Sequence, residues 1–318
     1  MLVYFDTNVY SHISEAESEQ EVKSAIKRLG WEIIASADNL FEMYAIRNAA
    51  RREREVATLT SVARRFDKVP HSYREAMEVR QAISAHRPTW IRRVVFDRFS
   101  RDRRADHIGR WNDAKRGVFP SSKAYLAYSR DVEAGIEQSL AFQRELRQRK
   151  VRQEAAIIVK EFGDKFGAIR TDLEHPEAFW RAECWLAYDG ALVHRNPATR
   201  DLYDWLAPHL KMHLVTTEEL FLLWLRDVNP AEAVISSWSG LVGWGQLHSK
   251  TSHGNANDQQ HAAMALVADL FVTADIGFHK ALRLAAPNHV GNVAKLALWP
   301  RSAPAMDAFG SVVEQASV

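Results

Sequence analysis

Four acids stand where an apolar run ends or a helical run begins. Asp6 follows Leu2-Val3-Tyr4-Phe5, Glu42 lies one turn into the helical stretch after Trp31–Ser36, Asp258 opens an alanine-rich helical stretch, and Asp275 follows Leu270–Ala274. A parallel sheet gathers such positions at the rim beyond the carboxyl ends of its strands, where open α/β sheets bind ligands. Carboxylates brought within a few Å of one another repel strongly unless a cation neutralises them. A set of oxygen ligands without His or Cys suits Mg2+ or Mn2+, hard ions that keep water and bind phosphate. One or two such ions activate water for in-line attack on a phosphodiester and stabilise the leaving oxygen. The expected chemistry is nucleic-acid hydrolysis, with Asp6, Glu42, Asp258 and Asp275 as catalytic and metal-holding residues.

Each of these residues also has a structural explanation. Asp6 or Asn8 can cap the helix that follows, and Glu42 can be a first-turn acid favoured by the helix dipole. Asp38, four residues before Glu42, competes for its role, but a capping role accounts for it better. Thr7, Asn8 and Thr273 are expected to orient carboxylates or metal-bound water, the alternative being turn chemistry. His261 lies one helical turn after Asp258 and can face the same site, in a supporting or structural role.

The elements that must position these residues are legible as alternating apolar and helical segments. Leu2–Phe5 reads as a buried strand. An acidic helical stretch starts at Ser14 or Glu15 and stops at Gly30. Trp31–Ser36 is a second strand, and Ser36 or Asp38 caps a helix with Leu40, Phe41, Tyr44 and Ala45 facing inward. A basic helix over Arg47–Arg65, a connector or weak strand at Phe66–Pro70 and a helix over Ser72–Ser84 follow. His86-Arg87-Pro88 breaks this pattern. Mainly helical sequence then continues to about Leu247, including Ser121–Phe162, Pro176–His194, Asp201–Leu210, Thr217–Val228 and Pro230–Leu241. A polar loop at Lys250–Asn257 leads into the Asp258 helix, and strands at Leu270–Asp275 and Val293–Trp299 follow. The tail beyond Pro300 reads as weakly ordered.

The composition is that of an ordinary globular chain: 318 residues, 47% hydrophobic and 26% charged, with a net charge of +2. A single cysteine, Cys184, excludes an intramolecular disulfide and a Cys-rich zinc site. No signal peptide is visible, and apolar runs such as Leu220–Leu225 are far too short to span a membrane, so a soluble cytoplasmic protein is expected. Charge is unevenly distributed, with 17 Arg and Lys against 8 Asp and Glu between Arg47 and Arg110. That bias suits a phosphate backbone, with Arg47, Arg51, Arg52 and Arg54 as candidate contacts; the alternative is a solvated helical surface. The ten tryptophans are expected to fill core rather than stack on bases. No phosphate-binding loop, dinucleotide fingerprint or nucleophile elbow is present. A phosphatase with Asp6 as nucleophile would want a second Asp where this chain has Asn8.

These motifs resemble the PIN-domain nucleases, whose pattern runs in the same order. Asp6-Thr7-Asn8 follows the first strand, Glu42 lies in a helix after the second, Asn257-Asp258 opens an alanine-rich helix, and Thr273-Ala274-Asp275 follows a later strand. Gly277 departs from the pattern, standing where many relatives carry a further Asp, which bears on a second metal site. The resemblance implies an α/β fold: a PIN-like three-layer αβα core with a central mostly parallel sheet, plus a mainly α-helical insertion. It divides the chain into core residues 1–85 and 247–300, an insertion over 86–246, and a C-terminal tail over 301–318. Asn257 joins Thr7, Asn8, His261 and Thr273 among the expected supporting residues. The implied function is an Mg2+- or Mn2+-dependent endonuclease acting on RNA before DNA, in a toxin or defence setting. An antitoxin or regulatory protein and a second copy of the chain are the candidate protein partners. The alternatives are a nucleic-acid or protein-binding module that has lost turnover, and a DNA-directed nuclease.

Overall fold

The computed structural model describes residues 1–93, 98–119, 157, 159–161, 164, 172–196, 199–247 and 255–317. Most of the expected helix over Ser121–Phe162 and most of the Lys250–Asn257 loop lie outside the described residues. Leu2–Phe5 forms β1, and its Val3, Tyr4 and Phe5 are fully buried. It is the central strand of a five-stranded sheet in which every neighbouring pair is parallel. Its neighbours are β2 (Glu32–Ala35) and β4 (Leu270–Thr273); β3 (Arg65–Phe66) and β5 (Lys295–Leu298) form the two edges. Tyr4 registers with Ile34 on one side and with Phe271 on the other.

Strand alternation divides the core between the two faces of this sheet. Val3, Phe5, Ile33, Ala35, Leu270, Val272 and Ala297 point to one face. There they meet α1 (Thr7–Glu15), α2 (Glu19–Leu29), α3 (Ala37–Tyr44), α4 (Ala49–Val62) and the C-terminal helix. Tyr4, Ile34 and Phe271 point to the other. They join a core built from α5 (His71–His86), α7 (Pro176–Leu192), α10 (Val234–Leu247) and α12 (Ile276–Ala285). Between these lie α6 (Arg98–Lys115), α8 (Arg200–Leu206), α9 (Thr217–Leu222) and α11 (Asn255–Ala262). The chain is therefore α/β, with an all-parallel sheet among the described residues and helices over both faces. Helices from the middle of the chain and one face of the sheet share a continuous core.

Several expected boundaries shift for local reasons. The first helix begins at Thr7, not near Ser14, because Asp6 accepts a hydrogen bond from the Thr7 amide and starts it at once. Glu17, in a left-handed conformation, separates it from α2, which ends as expected on left-handed Gly30. Ser36, not Asp38, caps α3, in a reciprocal bond pattern with Asn39. The segment after Pro300 is not weakly ordered but forms α13 (Ala305–Ser317). Its Ala305, Ala308, Phe309 and Val312 are buried at helical spacing. Its Gln315 side chain bonds both the amide and the carbonyl of Leu298 at 2.9 Å, covering an otherwise open edge strand.

Eight of the ten tryptophans are buried, which fits the core-filling expectation. Cys184 is buried, and burial holds its thiol well above the ordinary range. No described helix is long and apolar enough to cross a membrane.

Two features of the middle helices predict measurable stability effects. In α10, a Cβ on Gly245 would stand 2.5 Å from the Ala281 carbonyl oxygen of α12. Gly245→Ala should therefore lower stability by about 1–3 kcal/mol in chemical unfolding, despite the higher helix propensity of alanine.

Glu75 of α5 is largely buried, accepts a hydrogen bond from Tyr188 at 3.2 Å and lies 3.6 Å from His71. Burial first, then the neighbouring Glu78, pushes its carboxyl up to about 7. Burial and Arg74 push His71 down to about 4, so its contribution to the pH slope of stability runs opposite to that of Glu75 in the parent protein. A carboxyl raised on folding removes stability as pH rises from its unfolded to its folded value. Glu75→Gln should therefore gain stability relative to the parent between pH 5 and pH 8, by up to about 3 kcal/mol. Unfolding curves across that range check both the sign and the window.

Candidate functional site

The carboxyl ends of β1 and β4 are tied together by side chains. Asp6, 4% exposed, accepts from the Thr7 amide through Oδ1 and from Thr273 Oγ1 through Oδ2, both at 2.7 Å. Asp6 therefore caps α1 and ties it to the end of β4 at once. Thr273 Oγ1 in turn accepts from the Asp275 amide at 3.0 Å. Asn8 Oδ1 accepts from the Ala274 amide at 2.9 Å, locking the first turn of α1 onto the loop after β4. Thr7 Oγ1 accepts from Asn39 Nδ2 at 3.2 Å, and the same amide donates to the Phe5 carbonyl. Thr7, Asn8 and Thr273 thus hold the acid-bearing loops in place.

Glu42 and His261 enter this rim from helices on either side of β1 and β2. The imidazole of His261, 1% exposed, hydrogen-bonds through Nδ1 to the Tyr4 hydroxyl, which also lies 3.1 Å from Ser36 Oγ. Its Nε2 stands 2.9 Å from Glu42 Oε2, and Nδ1 stands 3.9 Å from Asp6 Oδ1. One ligand atom each from Asp6, Glu42 and His261 falls within a common span of 4.8 Å.

Asp258 shares the face of α11 with His261 and is 7% exposed, with Oδ2 accepting from Gln246 Nε2 at 3.2 Å. Asp275 is half-buried and caps α12 through a 2.8 Å bond from the Phe278 amide to Oδ1. The structure therefore unites Asp6, Glu42 and His261 most closely, with Asp258 and Asp275 in the electrostatic surroundings of that group.

The electrostatics record this crowding. Burial, then the Asp6 and Asp275 charges, hold the Asp258 carboxyl well above the ordinary carboxylate range. Burial and Glu42 also raise Asp6, against the opposing pull of His261, Thr273 and the Thr7 amide. Burial alone would depress His261, but Glu42, Asp6 and Asp38 raise it to about 10. Asp38 is raised by burial, Glu42 and Asp67. Freed of the capping role expected for it, Asp38 belongs to this acidic surround.

Among the arginines proposed for phosphate, Arg51 is exposed as well as paired. Arg51 pairs with Glu55 at 2.6 Å and Glu15 at 3.3 Å, and Arg52 donates to the Ile46 carbonyl at 2.8 Å. Arg47 and Arg54 are exposed. Helix α6, also basic, meets α3 through Phe41 and His107, and Arg110 lies over the Phe41 ring. The side chain of Asn257 lies outside the described residues.

Tyr4, Asn39 and Gln246 were not anticipated. Only His261 carried a sequence signal, the Asp258-x-x-His261 spacing that places both on one helix face. No protein-family model matches the chain, and neither a curated protein nor a solved structure matches it.

Thr273→Val removes the donor to Asp6 and the acceptor for Asp275 while preserving shape. It should reduce stability by about 1–3 kcal/mol in chemical unfolding, because a buried carboxylate oxygen loses its partner.

Proposed function

We propose that the chain is a metal-dependent endonuclease of the PIN type that hydrolyses phosphodiester bonds, in RNA before DNA. The observation that carries this reading is the convergence of Asp6, Glu42 and His261 at the rim of a parallel sheet, with Asp258 raised by burial and then by its acidic neighbours. The order of the four acid motifs supports the same reading, and so do the basic helices packed beside α3.

The donor set fits a divalent cation. Asp6 and Asp258 are buried acids whose surroundings disfavour ionisation, a field that a cation would reverse. Asp6, Glu42, Asp258 and Asp275 would hold Mg2+ or Mn2+. When bound, such an ion supplies a Lewis acid that activates water and stabilises the leaving oxygen.

The protein's own groups do the positioning. Thr273 and the Thr7 amide fix both oxygens of Asp6, Gln246 orients Asp258, and Tyr4 fixes the His261 ring. Exposed Arg47 and Arg54 attract the phosphate backbone and make binding salt-dependent. A toxin or defence role, with an antitoxin as partner, is part of this proposal.

Asp6→Asn and Asp275→Asn should each fold normally, as judged by circular dichroism, yet lose Mn2+-dependent cleavage of single-stranded RNA by about a hundredfold or more. Full activity in either variant, or in excess chelator, would refute the reading. One observation favours a second reading, a binding module without turnover: His261 stands as a charge partner 2.9 Å from Glu42, within the acidic site itself. Tight RNA binding without cleavage of RNA or DNA in Mg2+ or Mn2+ would select that reading.

A further inference from the structure

We infer that His261 is itself a metal ligand, completing a mixed carboxylate and imidazole site with Asp6 and Glu42 that selects Mn2+ or a later divalent transition metal over Mg2+. This rests on the metal-site reading above but assigns the ligand set and the class of ion that it left open.

Three observations carry the inference. First, buried Nε2 stands 2.9 Å from Glu42 Oε2, the separation that two ligands side by side on one ion would have at bond lengths of roughly 2.1 Å. Second, the other ring nitrogen is fixed by the Tyr4 hydroxyl, itself adjacent to Ser36. Metal-binding histidines are commonly oriented in this way, with one nitrogen anchored and the other aimed at the ion. Third, the Asp6, Glu42 and His261 ligand atoms fall within 4.8 Å of one another. Ligands around one ion at bond lengths of roughly 2.0–2.4 Å span a little over 4 Å, so modest closure brings all three to a common centre.

The chain reaches this geometry through one helix face. Asp258 and His261, three positions apart on α11, both look toward the strand rim, and their helix packs against α3, which carries Glu42. Oxygen-only sites accept Mg2+ readily, whereas an imidazole ligand adds affinity along the first-row transition series and little for Mg2+.

The test is Mn2+ binding to the full chain, followed by titration calorimetry and by pulsed electron paramagnetic resonance. The wild type should show hyperfine coupling to a directly bound imidazole nitrogen. His261→Gln should lose that coupling and bind Mn2+ about 10–100-fold more weakly, with Mg2+ affinity changed by less than about threefold. Tyr4→Phe, which keeps Nε2 but frees the ring, should retain the coupling with a smaller loss of affinity. The spectrum of the wild type decides the matter even if His261→Gln fails to fold.

Mn2+ bound without nitrogen coupling would overturn the inference. If Asp6→Asn then abolished binding, the carboxylate site would survive without His261. Absence of Mn2+ binding by the wild type would overturn both.

Discussion

The hydrogen bond from Thr273 to Asp6 joins the ends of two strands that lie 267 positions apart in the chain. Asp6 also starts α1, and Thr273 also receives the Asp275 amide that precedes α12. A single buried contact therefore sets the relative position of two strands, two helix starts and two acids. Parallel strands cannot be joined by a tight turn, so their carboxyl ends meet only after a long crossover. Here that crossover consists of most of the protein.

The arrangement holds in place groups that would otherwise separate. Asp6, Asp38 and Asp258 all lie where burial and neighbouring acids penalise ionisation. His261 offsets part of this penalty from within, and its close approach to Glu42 and Asp6 gives the acidic rim its one buried base among the described residues. Helix starts contribute as well, since the amides at Thr7 and Phe278 donate to Asp6 and Asp275. Tyr4, Asn39 and Asn8 bond across elements that the sequence separates widely, and Gln246 ties α10 to the next helix.

Helices α5, α7 and α10, between β3 and β4, share one core with one face of the sheet. Trp238 of α10 donates to the Ala262 carbonyl at 2.7 Å, at the end of the helix that carries Asp258 and His261. Gln246 of α10 binds Asp258 directly. The close α10–α12 approach at Gly245 then fixes α10 against the helix that Asp275 caps. The position of the acids at the rim therefore depends on packing in a segment that contributes no acid to the close cluster.

The sequence by itself determined the strands at Leu2–Phe5 and Leu270–Thr273, the α/β class, the rim acids and the stop at Gly30. These follow from local rules: an apolar run of four or five residues, a short acid after it, and a glycine where left-handed backbone is needed. Sequence was less informative wherever two local explanations were equally good. Ser36 and Asp38 were equivalent caps until Asn39 paired with Ser36 and left Asp38 to the acidic surround. The partners of His261 were hidden because a helix position says nothing of which nitrogen a distant tyrosine will hold. The order of α13 was hidden because its apolar face has meaning only against the edge strand that Gln315 covers. Only the tertiary structure could decide these cases, since the partners of Asp6, Glu42 and His261 lie on segments brought together by burying the sheet on both faces.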